Sequence, residues 1–332
     1  MRAKKSELFR RSDAGKTAGT FPVKTERTAD LPAESSGLFR RAAPFTLLAA
    51  VLIWGFGYIV TKSVLHGVSP LLLTAVAYFY AAAAGLPVIV LRRKNLRRKN
   101  VLRNSAFLGV LLFCSRMIQV IGCKYTTAGK NAFITTAYVV IVPVLGWALF
   151  RFRLRIKNIL LALMTLLGIG IIALNENFTG VNFGDVMTFV SSVGFGVHIL
   201  YNGKYVEKND PLLLGVMQIE FAAAISLVLA FAVQPRIPPD FFTWQAQAPF
   251  LYDGVMSTTA GFLLQSFGQK YMDSDRTARI LSLESVSGAL FSAAVLGEQY
   301  GVRLLIGCTI ILAANLLTHL PRGKERRNRL RV

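Results

Sequence analysis

Acidic residues are scarce in this chain: 17 Asp and Glu stand against 38 Lys and Arg among 332 residues. Cysteine and histidine are scarcer, with three of each. Cys114, Cys123 and Cys308 lie in or at the ends of apolar runs, without metal-ligand spacing or a disulfide framework. Several motifs are also missing. No Gly-rich phosphate loop of the P-loop pattern appears, so an ATP-driven pump would need another subunit. There is no HExxH, no pair of Asp-rich motifs for membrane prenyl transfer, and no Gly-x-Ser-x-Gly elbow. These absences leave soluble enzyme chemistry poorly supported and imply no cofactor.

Charge overall is low, at 17% of residues, while 53% are hydrophobic; a soluble domain usually carries about 25% charged residues. The apolar residues come in runs of about 20, each long enough to cross roughly 30 Å of hydrocarbon. Ala43–Leu65, Pro70–Leu91, Ser105–Cys123, Ala128–Phe150 and Ile156–Leu174 make five. Asp185–Tyr205, Leu212–Val233, Pro249–Gln269, Thr277–Leu296 and Arg303–Leu320 make five more. The expected fold is therefore an all-α polytopic membrane protein with ten transmembrane helices. Residues 1–42 differ: basic, Ser- and Thr-rich, and without an apolar stretch, they read as an unstructured cytoplasmic tail. They repeat Leu-Phe-Arg-Arg at Leu8–Arg11 and Leu38–Arg41, either a tether to anionic lipid or an ordinary basic flank. No secretory signal fits, because the first apolar run is too long and lacks a small-residue cleavage site.

A net charge of +21 invites a nucleic-acid reading, and its distribution decides against one. With residue 1 inside and ten alternating spans, ten Lys and Arg precede span 1 and seven lie between spans 2 and 3. Four lie between spans 4 and 5, two between 6 and 7, three between 8 and 9, and six after span 10. Only Lys62, Lys124, Lys130, Arg236, Arg303 and the intraspan Arg116 escape this pattern. Such a positive-inside bias places both termini in the cytoplasm. The basic excess is topological, and no nucleic-acid partner is expected.

The chain also repeats itself. Gly122–Ile134 aligns with Gly268–Ile280 at an offset of 146, matching Gly, Lys, Tyr, Ala and Ile and pairing Gln119 with Gln265. Gly55-Phe-Gly57 echoes Gly194-Phe-Gly196 at 139, and Ala81–Ala83 echoes Ala222–Ala224 at 141. Each repeat holds five spans, residues 43–176 and 177–320, followed by a basic tail, 321–332. An odd number of spans inverts the second copy, a recurring design of secondary transporters. Loop charges agree: the basic 2–3 and 4–5 loops correspond to a 7–8 loop holding only Arg236 and to Gly297-Glu-Gln-Tyr-Gly301.

With these features the sequence resembles the drug/metabolite transporter superfamily, specifically ten-helix proteins with two EamA domains. Trp54-Gly55 with Lys62, Lys124-Tyr125-Thr-Thr-Ala-Gly, Asn131-Ala-Phe133, the Pro143 region, Gly184-Asp185 and Leu296-Gly-Glu298 carry the resemblance. Arg151 and Ser285 depart from the family pattern, which usually has an acidic residue and a proline there. The resemblance implies alternating access through a central cavity, commonly for amino acids, drugs or nucleotide-linked metabolites, and commonly export.

Polar residues within spans are costly unless they face a cavity or a partner. Arg116 stands about 9 Å below the outer end of span 3 by helical rise and shares a face with Gln119. It either grips a carboxylate or phosphate, snorkels to the headgroups, or pairs with a glutamate. Glu220, roughly 14 Å into span 7, and Glu284, where the family often has an acid, are candidates for a coupling proton or for structural contacts. His198, sharing a face with Tyr201, either touches substrate or is a hydrogen-bonded structural histidine. Gln119 and Gln265 are expected to enter from opposite sides, and Trp54 with Tyr58 form an aromatic wall or pack against lipid.

The expected activity is transport of a small metabolite, an amino acid or related zwitterionic or anionic compound, across the cytoplasmic membrane as an exporter. Export of cationic drug-like compounds is the alternative; a membrane enzyme, channel or scaffold would be a different class. The expected partners are a small-molecule substrate and membrane lipid, with the chain acting as a monomer or homodimer.

Overall fold

The computed structural model describes residues 33–97, 100–151, 156–173, 181–297 and 301–319. Contacts divide the chain into a unit ending at Leu38, of which only the start of a helix is described, and a unit from Phe39 onward. Every regular element among the described residues is helical. In order they are α1 (Ala33–Val64), α2 (Pro70–Arg92), α3 (Val101–Tyr125), α4 (Ala128–Thr135), α5 (Tyr138–Phe150), α6 (Ile156–Ala173) and α7 (Phe183–Val206). Then come α8 (Pro211–Val233), α9 (Trp244–Leu251), a π-helical segment (Tyr252–Ala260), α10 (Gly261–Tyr271), α11 (Ser274–Leu281), α12 (Glu284–Leu296) and α13 (Gly301–His319).

Helix α1 begins at Ala33, ahead of the expected end of the basic tail at residue 42; Ala33, Glu34, Leu38, Arg40, Arg41 and Ala42, six of the ten residues there, are good helix formers. The first Leu-Phe-Arg-Arg segment, most of the 4–5 loop, Glu298 and the tail 321–332 lie outside the described residues. Among the described residues, seven helical stretches are long and apolar enough to cross a membrane, including the broken rods Ala128–Phe150 and Ser274–Val295. The apolar stretch of α6 is shorter, Ile156–Gly168.

Helix boundaries follow from local chemistry and recur along the chain. Ser69 caps α2 by accepting from Leu72 N at 3.2 Å, and Asp210 caps α8 by accepting from Leu212 N at 3.0 Å. Each cap precedes a proline at the first helical position, where its missing N–H costs nothing. Pro70 and Pro211 are 141 residues apart. Thr127 and Asp273, 146 apart, cap α4 and α11. Both rods then break at a hydroxyl residue that bonds back to the carbonyl three residues before it, in competition with the helical ladder. Thr136 Oγ1 donates to Phe133 O at 2.7 Å, and Ser282 Oγ donates to Arg279 O at 2.7 Å. Those breaks set Tyr138 and Glu284 at the first turn of α5 and α12.

Large apolar side chains such as Phe79, Leu91, Trp147 and Phe231 point outward, while Thr, Ser, Asn, Gln and acid side chains are buried. That distribution suits a bundle surrounded by hydrocarbon, with its polar groups turned toward one another. Helix α3 packs on α7 and α8, α2 on α8 and the π segment, α6 on α13, and α4 on α7 and α12. The α3–α7 seam is close enough that a Cβ on Gly122 would stand 2.8 Å from Gly184 O, and one on Gly184 would stand 2.6 Å from Gly122 O. Only glycine fits at both positions. Gly168 is a packing element in the same sense, facing Gly307 O on α13.

Candidate substrate cavity

Helices α1, α3, α4, α5, α7, α10, α11 and α12, with the π segment, line a cavity of about 590 Å³ of empty space, part of it open to solvent. Seven of the nine residues expected at a site line it: Trp54, Tyr58, Arg116, Gln119, His198, Gln265 and Glu284. Tyr201 and Glu220 do not. Tyr201 belongs to an aromatic cluster with Phe107, Phe150 and Tyr205, where the Lys204 ammonium sits 4.6 Å from the Phe150 ring centre. Glu220 faces α2 at Gly85, and one of its carboxylate oxygens is buried without a hydrogen-bond partner.

Trp54 and Tyr58 are one turn apart on α1 and both turn inward. The Trp54 indole donates to Ser257 O at 2.7 Å, and its ring tilts against Phe262 with centres 5.2 Å apart. Phe195 and Phe262 complete an aromatic wall. Lys62 donates to Cys123 O, Lys124 O and Thr126 O, satisfying carbonyls at the C-terminal end of α3.

A directional chain of hydrogen bonds crosses the cavity. Arg116 Nη1 donates to Gln119 Oε1 at 2.9 Å. Gln119 Nε2 donates to Tyr58 Oη at 3.3 Å and to Thr135 Oγ1 at 3.1 Å. Tyr58 Oη and Tyr138 Oη both donate to Glu284 Oε1, at 3.4 and 3.0 Å. At the opposite end, Arg116 Nη2 reaches both carboxylate oxygens of Asp253 at 2.7 Å and donates to Thr61 Oγ1 at 3.2 Å. The partner of Arg116 is thus an aspartate on the π segment; a pair with a glutamate was one of the alternatives read from the sequence. Glu284 is 4% exposed and forms no ion pair among the described residues. Arg116 is the one Lys or Arg on the cavity wall.

Polar ladders extend from the cavity along α7 in both directions. Toward its N-terminal end, Asn131 Nδ2 donates to Thr188 Oγ1 at 2.7 Å and Thr126 Oγ1 to Asp185 Oδ1 at 2.6 Å. Toward its C-terminal end, Gln265 Nε2 and Asn202 Nδ2 donate to Gln269 Oε1 at 3.0 and 2.7 Å. His198 Nε2 meets Gln218 Oε1 at 2.7 Å, so the histidine is both hydrogen-bonded and on the wall. Sequence reasoning passed over Asp253, Tyr138, Phe195 and Phe262. Asp253 carried a signal, an acid inside the eighth apolar run, and Tyr138 stands 146 residues before Glu284.

An all-helical membrane protein whose bundle encloses an aromatic and polar cavity has the architecture of a transporter. The profile of the EamA-like transporter family matches residues 41–174 and again 182–320, so the chain belongs to that family. It is 29% identical over 286 residues to a protein of Archaeoglobus fulgidus named an uncharacterized transporter, covering 86% of this chain and 88% of that one. It is 20% identical over 270 residues to the uncharacterized transporter YoaV of Bacillus subtilis, covering 80% and 92%. One crystal structure shares the fold with a TM-score of 0.69 at 17% identity, covering 84% of this chain and 96% of the other. These similarities indicate a transporter rather than an enzyme.

Proposed function

We propose that this chain is a secondary transporter that carries an amino acid or a related zwitterionic metabolite across the cytoplasmic membrane. The reading rests on the cavity's charge pattern. Asp253 neutralises Arg116, which leaves the carboxylate of Glu284 without a cation to meet. An entering ammonium group is drawn to that carboxylate, and the guanidinium on the same wall answers the carboxylate of a zwitterion. Trp54, Phe195 and Phe262 then hold the apolar part of the molecule.

The two ladders along α7 support alternating access, with one set of hydrogen bonds parting while the other holds. The recurrence of caps, breaks and cavity residues at offsets of 141 and 146 supports ten spans in two inverted repeats. The Lys and Arg distribution supports cytoplasmic termini. Glu284 exchanges a coupling proton as substrate leaves, with export as the direction the family resemblance implies. Glu220, outside the cavity, is the second coupling candidate.

One observation favours a second reading: with Arg116 already neutralised, the cavity suits a purely cationic aromatic compound. Matched ligands separate the two. Thermal stability of purified protein and counterflow in proteoliposomes are measured with amino acids, their methyl esters and their N-acetyl derivatives. Free amino acids alone should stabilise and exchange. Esters binding in their place would establish the cationic reading, and N-acetyl derivatives binding as well as the parents would sink both.

A further inference from the structure

Asp253 lies in the first turn of the π segment, and its burial is nearly complete at 2% exposure. It engages Arg116 through one nitrogen only: both carboxylate oxygens converge on Nη2, while Nη1 serves the neutral amide of Gln119. A guanidinium holding a carboxylate in the strongest geometry offers two parallel N–H donors. The pair therefore sits short of that geometry, with Arg116 still on the cavity wall.

The segment that carries Asp253 also touches the cavity. Ser257 and Thr258 line it, one turn beyond Asp253. The Thr258 hydroxyl braces the π register by donating to Asp253 O five residues back, while Thr259 Oγ1 lies 2.9 Å from Ala81 O on α2 and 3.2 Å from Gly254 O. Single-turn π segments are rare and recur at functional sites. The opposite face of this one is pressed to α2 at Gly254, where a Cβ would stand 2.5 Å from Ala77 O. Next to that contact, on the same helix, the Tyr78 hydroxyl is buried without a hydrogen-bond partner, with Arg116 and Asp253 among its charged neighbours. A buried orphan hydroxyl is a cost that calls for an explanation.

We propose that Asp253 stands in for the substrate's carboxylate. It holds Arg116 while the cavity is empty, then yields the guanidinium to the carboxylate of an entering zwitterion and takes the Tyr78 hydroxyl as its new donor. The exchange rests on the zwitterion reading above. The exchange of partners itself adds no net charge, because the zwitterion brings one charge of each sign. Asp253 and Tyr78 are positioning residues that act through Arg116, and selectivity for a free carboxylate follows from them.

The test compares each standard amino acid with its α-amide, which keeps the ammonium and loses the carboxylate. Binding is measured to purified wild type, Tyr78→Phe and Asp253→Asn. Tyr78→Phe should retain wild-type thermal stability without ligand, since its hydroxyl has no partner to lose, yet weaken the acid relative to the amide by roughly tenfold. Asp253→Asn should shift the same ratio the other way. Should that variant fail to fold, Tyr78→Phe carries the test alone. An unchanged acid-to-amide ratio in a folded variant, with amino acids still bound by wild type, overturns the exchange and leaves the zwitterion reading standing. No amino acid binding to wild type overturns both.

Discussion

Tyr138 Oη donates to Glu284 Oε1 at 3.0 Å, and the two residues occupy the same place in the two family repeats, 146 positions apart. Each opens a helix just after a hydroxyl-induced break, at Thr136 and at Ser282. The repeat thus brings a donor and an acceptor face to face at the centre of the bundle. Divergence at equivalent positions, phenol against carboxylate here and Arg116 against Phe262 at the same offset, makes the cavity chemically asymmetric.

Removing that carboxylate should abolish recognition without unfolding the bundle. Glu284→Gln keeps shape and hydrogen-bonding capacity, so it should insert and purify normally while losing tenfold or more in affinity for amine-bearing ligands. Tyr138→Phe removes one of two donors to the carboxylate and should cost about 1.5–3 kcal/mol of its interaction, read as a smaller loss of affinity. Wild-type affinity in Glu284→Gln would take this residue out of the site.

The Arg116–Asp253 pair makes a separable prediction about stability. Arg116→Gln strands a buried carboxylate and should destabilise the protein by about 3–5 kcal/mol. Joining it to Asp253→Asn removes both charges and should recover most of that loss, because the penalty lies in the unpaired ion. Thermal unfolding in detergent of both single variants and the double variant measures the coupling. Simple additivity of the single losses would mean that the pair is not an energetic unit.

Packing at the α3–α7 seam has no room for a methyl group. Gly122→Ala would place its Cβ against Thr188 Oγ1 and 2.8 Å from Gly184 O, a backbone atom that moves only if α7 moves. A destabilisation of about 1–3 kcal/mol is expected, together with loss of the Asn131–Thr188 hydrogen bond. Thermal unfolding checks the first. An unshifted midpoint would mean that the seam opens more easily than its geometry implies.

Much of this was readable from the amino-acid order, for physical reasons. Apolar runs and basic loops are averages over many residues, so the helical membrane fold and the family survive local irregularity. Arg116, Gln119, His198, Gln265 and Glu284 were visible because a polar residue in an apolar run is costly and must be met. Asp253 satisfies the same criterion, but its pairing depends on a π segment whose register no hydropathy pattern encodes. Glu220 satisfies it too and still lies away from the cavity, since which way a span faces is set by its neighbours. The breaks at Thr136 and Ser282 were equally hidden: a proline such as Pro143 is the usual kink signal, and the chain breaks about two turns earlier, at a hydroxyl.

The proposed inversion of the second repeat makes the sharpest topological prediction. Gly67 and Lys208 stand 141 residues apart, each three residues before the proline that opens α2 or α8, and both are exposed. No heavy atom comes within 4 Å of a Cβ built on Gly67, so a side chain is tolerated there. Single cysteines are introduced as Gly67→Cys or Lys208→Cys in a background with Cys114, Cys123 and Cys308 replaced. If five spans separate equivalent points, the two positions lie on opposite sides of the membrane. A membrane-impermeant maleimide added to intact cells should then label Gly67→Cys, and should label Lys208→Cys only after permeabilisation. Labelling of both from the same side would require an even number of crossings between them, which would rule out inversion and with it the symmetry that pairs Tyr138 with Glu284.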